Sequence, residues 1–107
     1  MSLWRIITLP VVIMLVGPAR AAELAPELWD RPRSAQTVMA QPAVRQAVSV
    51  LQSRSDARLL IVHGPRQESV LQAEELRAWL VALAVEAARV RLRAEPAAAT
   101  IRLEVVD

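Results

Sequence analysis

Between Ser69 and Arg93 the hydrophobic positions change period part-way along, and the change marks two elements. Ala73, Leu76, Leu80, Leu83 and Ala84 recur at three- and four-residue steps, so they share one face of a helix. Ser69 and Gln72 stand at the spacing of a capping box, in which hydroxyl and amide satisfy orphaned backbone donors of the first turn. Glu74 and Glu75 lie near the positive end of the helix dipole, where negative charge is favoured. From Ala78 to Val85 the eight residues are apolar on all sides, which predicts cover by more than one neighbour. Eight is too few to cross a bilayer. After Glu86 the period falls to two: Val90 and Leu92 alternate with Arg89, Arg91 and Arg93, as in a strand with one wet face.

The same reading extends in both directions. Leu59 to Val62 is a short continuous apolar run between Arg58 and Gly64-Pro65, the form of a central strand covered on both faces with helices packed against it. Before it, Gln41 is the cap and Pro42 the first residue of a helix with Ala43, Val44, Ala47, Val48 and Leu51 as its apolar stripe. Ser34 to Ala40 fits either an edge strand through Thr37-Val38-Met39 or a short helix capped by Ser34, and helix is preferred. At the carboxyl end Ile101, Leu103 and Val105 alternate with Arg102, Glu104 and Val106, which predicts a last strand. The strand–helix–strand unit from Leu59 to Leu92 is expected to be a right-handed parallel crossover, and the last two strands to pair as a hairpin. Glu104 would then meet Arg89, Arg91 or Arg93. The predicted class is α+β: two helices packed on a small mixed sheet of three to four strands, with a βαββ core.

The amino terminus has a different character. Met1 to Arg5 is short and basic, Ile6 to Val16 is apolar apart from Thr8 and Pro10, and Ala19-Arg20-Ala21 places small residues where a signal peptidase reads them. This predicts a secretory signal over residues 1–21, cleaved before Ala22, with an uncleaved anchor as the alternative. The folded part is expected in the periplasm. Residues 22–41 follow as a proline-containing arm, extended around Pro26 and Pro32. Within it Trp29 either pins the arm to the core or belongs to a partner surface, and the cost of exposing an indole favours the first. The domain proper is residues 42–107.

Composition narrows the chemistry. The chain has 107 residues, room for one domain, and no cysteine, which excludes disulfides, acylated cysteine, thiol nucleophiles and cysteine-ligated metals. All 13 basic residues are arginine, and the pI near 10.9 does not imply nucleic-acid binding. Removal of residues 1–21 takes away Arg5 and Arg20 and no acid, leaving eleven arginines against eleven carboxylates and a formally neutral chain.

From about Pro42 to Val106 the order of elements resembles the OmpA-like, peptidoglycan-associated periplasmic domain. In that family a helix leads into a strand ending in Gly-His-Thr-Asp, followed by a Gly/Asn loop, a second helix and a strand beginning near Arg-Ile. Here Ala57 to His63 is similar to the first strand, with His63 at the histidine. Ser69, Ala73, Leu76, Leu80 and Val85 fall at the spacing of the helix, Ala84 stands where its glycine usually sits, and Arg89-Val90 matches the next strand. The ligand-reading positions depart from the family. The aspartate two residues after the histidine is Pro65, the helix arginine that holds a diaminopimelate carboxylate is Gln72, and only five residues separate His63 from Ser69. A neutral amide and a donor-free proline cannot replace a charge-assisted clamp. The resemblance implies the fold; the peptidoglycan site is not implied intact.

Candidate ligand-binding positions, all equivalent to or beside family positions, are His63, Arg66 and Gln72. Arg89, Arg91 and Arg93 form a candidate basic face for an anionic partner, with an ordinary solvated face as the plainer reading. His63 is the sole histidine and has no carboxylate cluster beside it in sequence, so a structural role is favoured over a base or metal ligand. No catalytic residue, metal or cofactor is indicated. The expected function is a non-enzymatic, exported structural or partner-binding module of an envelope assembly. Its expected partner is an envelope protein, with neither nucleic acid bound nor stable membrane insertion after cleavage. The alternatives are a peptidoglycan-binding protein with a rearranged site and a small His63-dependent hydrolase. A modest core also makes a homodimer plausible, paired through Ile101–Val106 as an edge strand.

Overall fold

The computed structural model describes residues 20–107, so the signal segment lies outside the described residues except for Arg20 and Ala21. Four strands form one mixed sheet: β1 (Arg20–Glu23), β2 (Arg58–His63), β3 (Val90–Ala94) and β4 (Arg102–Val106). Their order is β1-β4-β2-β3. Three helices accompany it, α1 (Ala35–Met39), α2 (Pro42–Ser53) and α3 (Gln67–Ala82), with short 3-10 turns at Pro26–Asp30 and Ala87–Arg89. This is an α+β fold, with two main helices on a four-stranded mixed sheet, as the hydrophobic pattern predicts.

The α2 stripe is buried at each of its five expected positions, and Pro42 stands at the first turn. Ser34 caps α1: its hydroxyl accepts the Thr37 N–H at 3.1 Å, and the Thr37 hydroxyl accepts the Ser34 N–H at 2.9 Å. Segment 34–40 is therefore helix and not strand. β2 and β3 pair in parallel, with Leu59 opposite Val90 and Ile61 opposite Leu92.

The sheet has one face for the helices and one for water. Leu59, Ile61, Leu103, Val105 and Val90 point into the core beneath α2 and α3. On the other face Leu60 has Arg91 and Glu104 as cross-strand neighbours, and Val62 has Arg93 and Arg102. Val62 is nevertheless fully buried. Its cover is a lattice of charged side chains: Arg93 bonds Glu104 at 3.1 Å, and Arg102 bonds Glu95 at 2.6 Å and Glu104 at 3.0 Å. The continuous apolar run of β2 is thus explained without helices on both faces, because long arginine stems can roof an apolar residue.

Several expectations are corrected. β3 and β4 do not form a hairpin. β4 lies on the opposite side of β2, antiparallel to it and to β1, so Ile101–Val106 is an interior strand and cannot serve as a dimerisation edge. The physical reason is that the crossover already places β3 against one side of β2, and β4 buries both its edges by taking the other. Arg93 and Glu104 still meet, across β2 instead of across a hairpin. The stretch 22–41 is not an extended arm. Ala22 and Glu23 pair with Leu103 and Arg102, Leu24 and Leu28 enter the core, and Pro26 starts a 3-10 turn, where its fixed φ is an advantage. Cleavage before Ala22 would remove Arg20 and Ala21, the first half of β1, and leave this pairing of Ala22 and Glu23.

Helix α3 begins at Gln67, two residues before the expected cap, with Arg66 preceding it and no side-chain cap. It also ends early. Ala78 and Ala82 are exposed, so the stretch expected to be covered all round is open to solvent on one side. The helix closes when Val85 N–H reaches the Leu80 carbonyl at 3.0 Å and Ala84 N–H the Val81 carbonyl at 3.0 Å. That pair of bonds requires a left-handed residue between them, and Ala84 has φ of 78°. A Cβ in this region costs about 1–2 kcal/mol. Ala84→Gly is therefore expected to stabilise the protein by about 0.5–1 kcal/mol once glycine's greater unfolded-state entropy is subtracted. Thermal melts of the two proteins check this; an unchanged or lower Tm would show that the left-handed turn does not form.

Candidate functional site

β2 ends at His63 against the start of α3, and three segments converge there. The chain turns sharply at Gly64-Pro65 and enters α3 at Gln67. The loop after β3 folds back over the turn: Glu95 N–H donates to the His63 carbonyl at 2.8 Å, and a Cβ on Gly64 would lie 2.7 Å from the Ala98 carbonyl oxygen. Gly64 N–H donates to Ser69 Oγ at 2.7 Å. Ser69 is thus occupied with the β2–α3 turn and does not cap the helix in the manner its spacing with Gln72 predicts.

Between this turn, the 26–30 turn and the loop 98–101 lies an open cleft of about 420 Å³. Trp29, Asp30, Arg66, Glu68, Ser69 and Gln72 supply its side-chain chemistry. A second depression of about 390 Å³ continues along α3 beyond Trp29, past Glu68, Leu71, Gln72 and Glu75. Trp29, Glu68 and Gln72 border both. Leu71 in the second depression is 56% exposed.

Arg33 fixes the amino-terminal segment to α3 and so sets the wall of this cleft. Its Nε and Nη2 donate to the two Glu75 oxygens at 2.9 and 3.0 Å, its Nη1 donates to the Trp29 carbonyl at 3.3 Å, and its guanidinium sits 5.4 Å from the Trp29 ring centroid. Trp79 Nε1 donates to Glu75 Oε2 at 3.1 Å. The Arg33 bonds hold the Glu75 carboxyl below its ordinary value, against an opposite pull from partial burial, and the Trp79 bond adds to the lowering. The partner guanidinium is correspondingly held more firmly protonated by Glu75. Because the folded carboxyl is the stronger acid, its contribution is present above the unfolded value near 4.5 and disappears as pH falls through the folded value. Glu75→Gln is expected to lower Tm at neutral pH and to melt closer to wild type in acid. Paired melts between about pH 6 and pH 3 check it, and a gap that stays constant across that range would contradict it.

The expected site residues divide. Arg66 and Gln72 both line the first cleft, on the exposed lip and the half-buried wall respectively. His63 does not line it. The residue is only 6% exposed, and Nδ1 donates to the Gly64 carbonyl at 2.8 Å. Pro65 lies at the rim, in the position where the resemblance would place an aspartate. Asp30, Glu68 and the 98–101 loop were not foreseen. Sequence spacing cannot show that the 26–30 turn and the 98–101 loop close on the turn at Gly64; Gly64 before a proline is the one local sign.

The basic face is also redrawn. Arg89 belongs to the 3-10 turn before β3, where its Nε donates to the Ala57 carbonyl at 3.0 Å and its Nη2 to the Arg54 carbonyl at 2.6 Å. It therefore ties β3 to the start of β2 and does not join Arg91 and Arg93. Arg93 is paired with Glu104, and among the described residues Arg91 makes no ion pair.

Among the described residues no cluster of three or more His, Asp or Glu could hold a metal ion, and no helix is long and apolar enough to cross a membrane. Comparison with protein-family models, with curated proteins and with solved structures gives no match to this chain.

Proposed function

We propose that the chain is an exported, non-enzymatic partner-binding module of a bacterial envelope assembly, and that the cleft beside Gly64 receives the partner. The observation that carries this reading is the cleft itself: an indole, two carboxylates, a guanidinium and an amide surround an open depression on a rigid sheet end. That mixture suits recognition of a polar polypeptide segment, in which an aromatic platform supplies area and the rim charges set orientation. The amino-terminal pattern of basic, apolar and small residues supports export, and the mass of the mature protein tests it; a chain that retains Met1 would rule out cleavage.

A photo-crosslinking amino acid at Glu68 in the exported protein tests the partner reading. One discrete protein adduct is expected, absent when the crosslinker stands at Asp56, at the far end of β2. A peptidoglycan-binding module is the second reading, favoured by the placement of Arg66 and Gln72 on one cleft at the strand end. Retention on isolated sacculi that free muropeptide competes away would replace the first reading by the second. A hydrolase built on His63 has less support, since that ring is buried and faces the Gly64 carbonyl. Loss of a measurable turnover in His63→Ala at unchanged Tm would establish it.

A further inference from the structure

β1 and β3 are the two outer strands of the sheet, and the outer edge of β3 is the one whose free backbone groups can be followed residue by residue. In a β-strand the N–H and C=O of one residue point to the same side, and the direction alternates along the chain. Glu95 N–H points to β2, where it donates to the His63 carbonyl at 2.8 Å. By alternation Arg93 and Arg91 also bond towards β2, while Val90, Leu92 and Ala94 present their backbone groups outward. Val90 is already satisfied: its N–H donates to the Ala87 carbonyl, and its carbonyl accepts Arg77 Nε at 3.3 Å. Leu92 and Ala94 have no such partner among the described residues. Two donors and two acceptors are left in a row about 6.6 Å long. No side chain of the described residues bonds them, whereas Arg77 closes the strand only at its beginning.

We propose that this outer edge of β3 is a strand-addition site for an extended acidic segment of a partner protein. The charges above the edge select that occupant. Arg91 and Arg93 project on the solvent face of the sheet, the first without an ion pair among the described residues and the second with its side chain 47% exposed beside Glu104. A pairing segment with carboxylates at alternate positions places them against these guanidiniums, and its intervening apolar residues fall on the side of half-buried Leu92. A second copy is disfavoured by the same charges. Antiparallel pairing centred on Leu92 sets Arg91 against Arg93, and centred on Arg93 it sets that arginine against itself, both costly at strand-pair distance.

The inference rests on the reading of the chain as a partner-binding module but uses a different surface from the cleft, so the two fail separately. The probe is the blocked peptide Glu-Val-Glu-Val-Glu added to the full mature chain, with amide exchange and chemical shifts as readouts. The expected result is slowed exchange at the Leu92 and Ala94 amides. Binding should weaken about tenfold with a Gln-Val-Gln-Val-Gln peptide, the loss of two screened charge pairs. Methylation of the peptide nitrogens on either alternate set should weaken the pairing register that uses it, and methylation of both sets should abolish binding. Arg91→Glu combined with Arg93→Glu should lose the peptide at an unchanged far-ultraviolet spectrum, while Trp29→Ala should retain it. Equal binding of the fully methylated peptide, or shifts confined to residues of the cleft, would overturn the proposal. So would a concentration-dependent dimer in which Leu92 and Ala94 are protected without any peptide.

Discussion

Leu76→Ala is expected to cost about 2–5 kcal/mol of unfolding free energy. Leu76 is fully buried on the helix face that meets the sheet, in one cluster with Leu59, Ile61, Leu80 and Leu103. The removed methyl groups lose their transfer energy, and the void they leave adds a cavity term, because the surrounding side chains relax only in part. For a domain of this size such a loss shifts Tm by roughly 10–40 °C. Urea melts of both proteins measure it. An effect below about 1 kcal/mol would mean that α3 is not seated on the sheet in the register described.

Gly64→Val is the second large effect, expected at about 1–3 kcal/mol or more. No unusual backbone angle is involved; the requirement is room. The new Cβ would stand 2.7 Å from the Ala98 carbonyl oxygen, which belongs to backbone and cannot rotate away as a flexible side-chain tip would. Either the loop 95–100 lifts off the strand end, with loss of the Glu95–His63 bond, or the β2–α3 turn shifts and strains the bond from Gly64 N–H to Ser69 Oγ. Both routes deform the cleft wall. The variant should therefore melt lower and also lose the Glu68 crosslink, whereas Ser69→Ala should melt lower by a smaller amount. A Gly64→Val protein as stable as the parent would show that the loop does not rest on the strand.

The two predictions touch different kinds of information. Leu76 was legible in the sequence because burial on a helix is periodic, and the same is true of the α2 stripe and of the alternation in β3 and β4. Capping of α1 by Ser34 was legible for an equally local reason: donor and acceptor lie three residues apart. The crowding at Gly64 was not, since its cause is a carbonyl thirty-four positions away. Likewise the Ser69–Gln72 spacing suggested a cap, but a nearer donor, the Gly64 N–H, claims the Ser69 hydroxyl once the turn has formed.

Sheet order divides in the same way. A short connection between two strands favours a hairpin, yet β3 and β4 end up on opposite sides of β2, because a strand gains more by pairing along both edges than along one. Pairing with β1 supplies the second edge, and that required residues 20–23, which carried no strand signal of their own. Arg89 shows the limit of counting alternate arginines. Its place just before β3 turns it to the Ala57 and Arg54 carbonyls, so that one expected member of a basic face became a structural tie.

Periodicity, caps and composition, then, determined by themselves the α+β class, the core stripe of α2, the Ala73–Leu76–Leu80 face of α3 (Leu83 and Ala84 lie past its end) and the strand segments 58–63, 90–94 and 102–106, because each depends on residues a few positions apart. Tertiary structure alone decided the strand order, the incorporation of the amino-terminal segment, the cleft around Trp29 and the open edge at Leu92 and Ala94. Those depend on which distant backbone groups find partners and which charges meet, and a one-dimensional pattern holds no record of either.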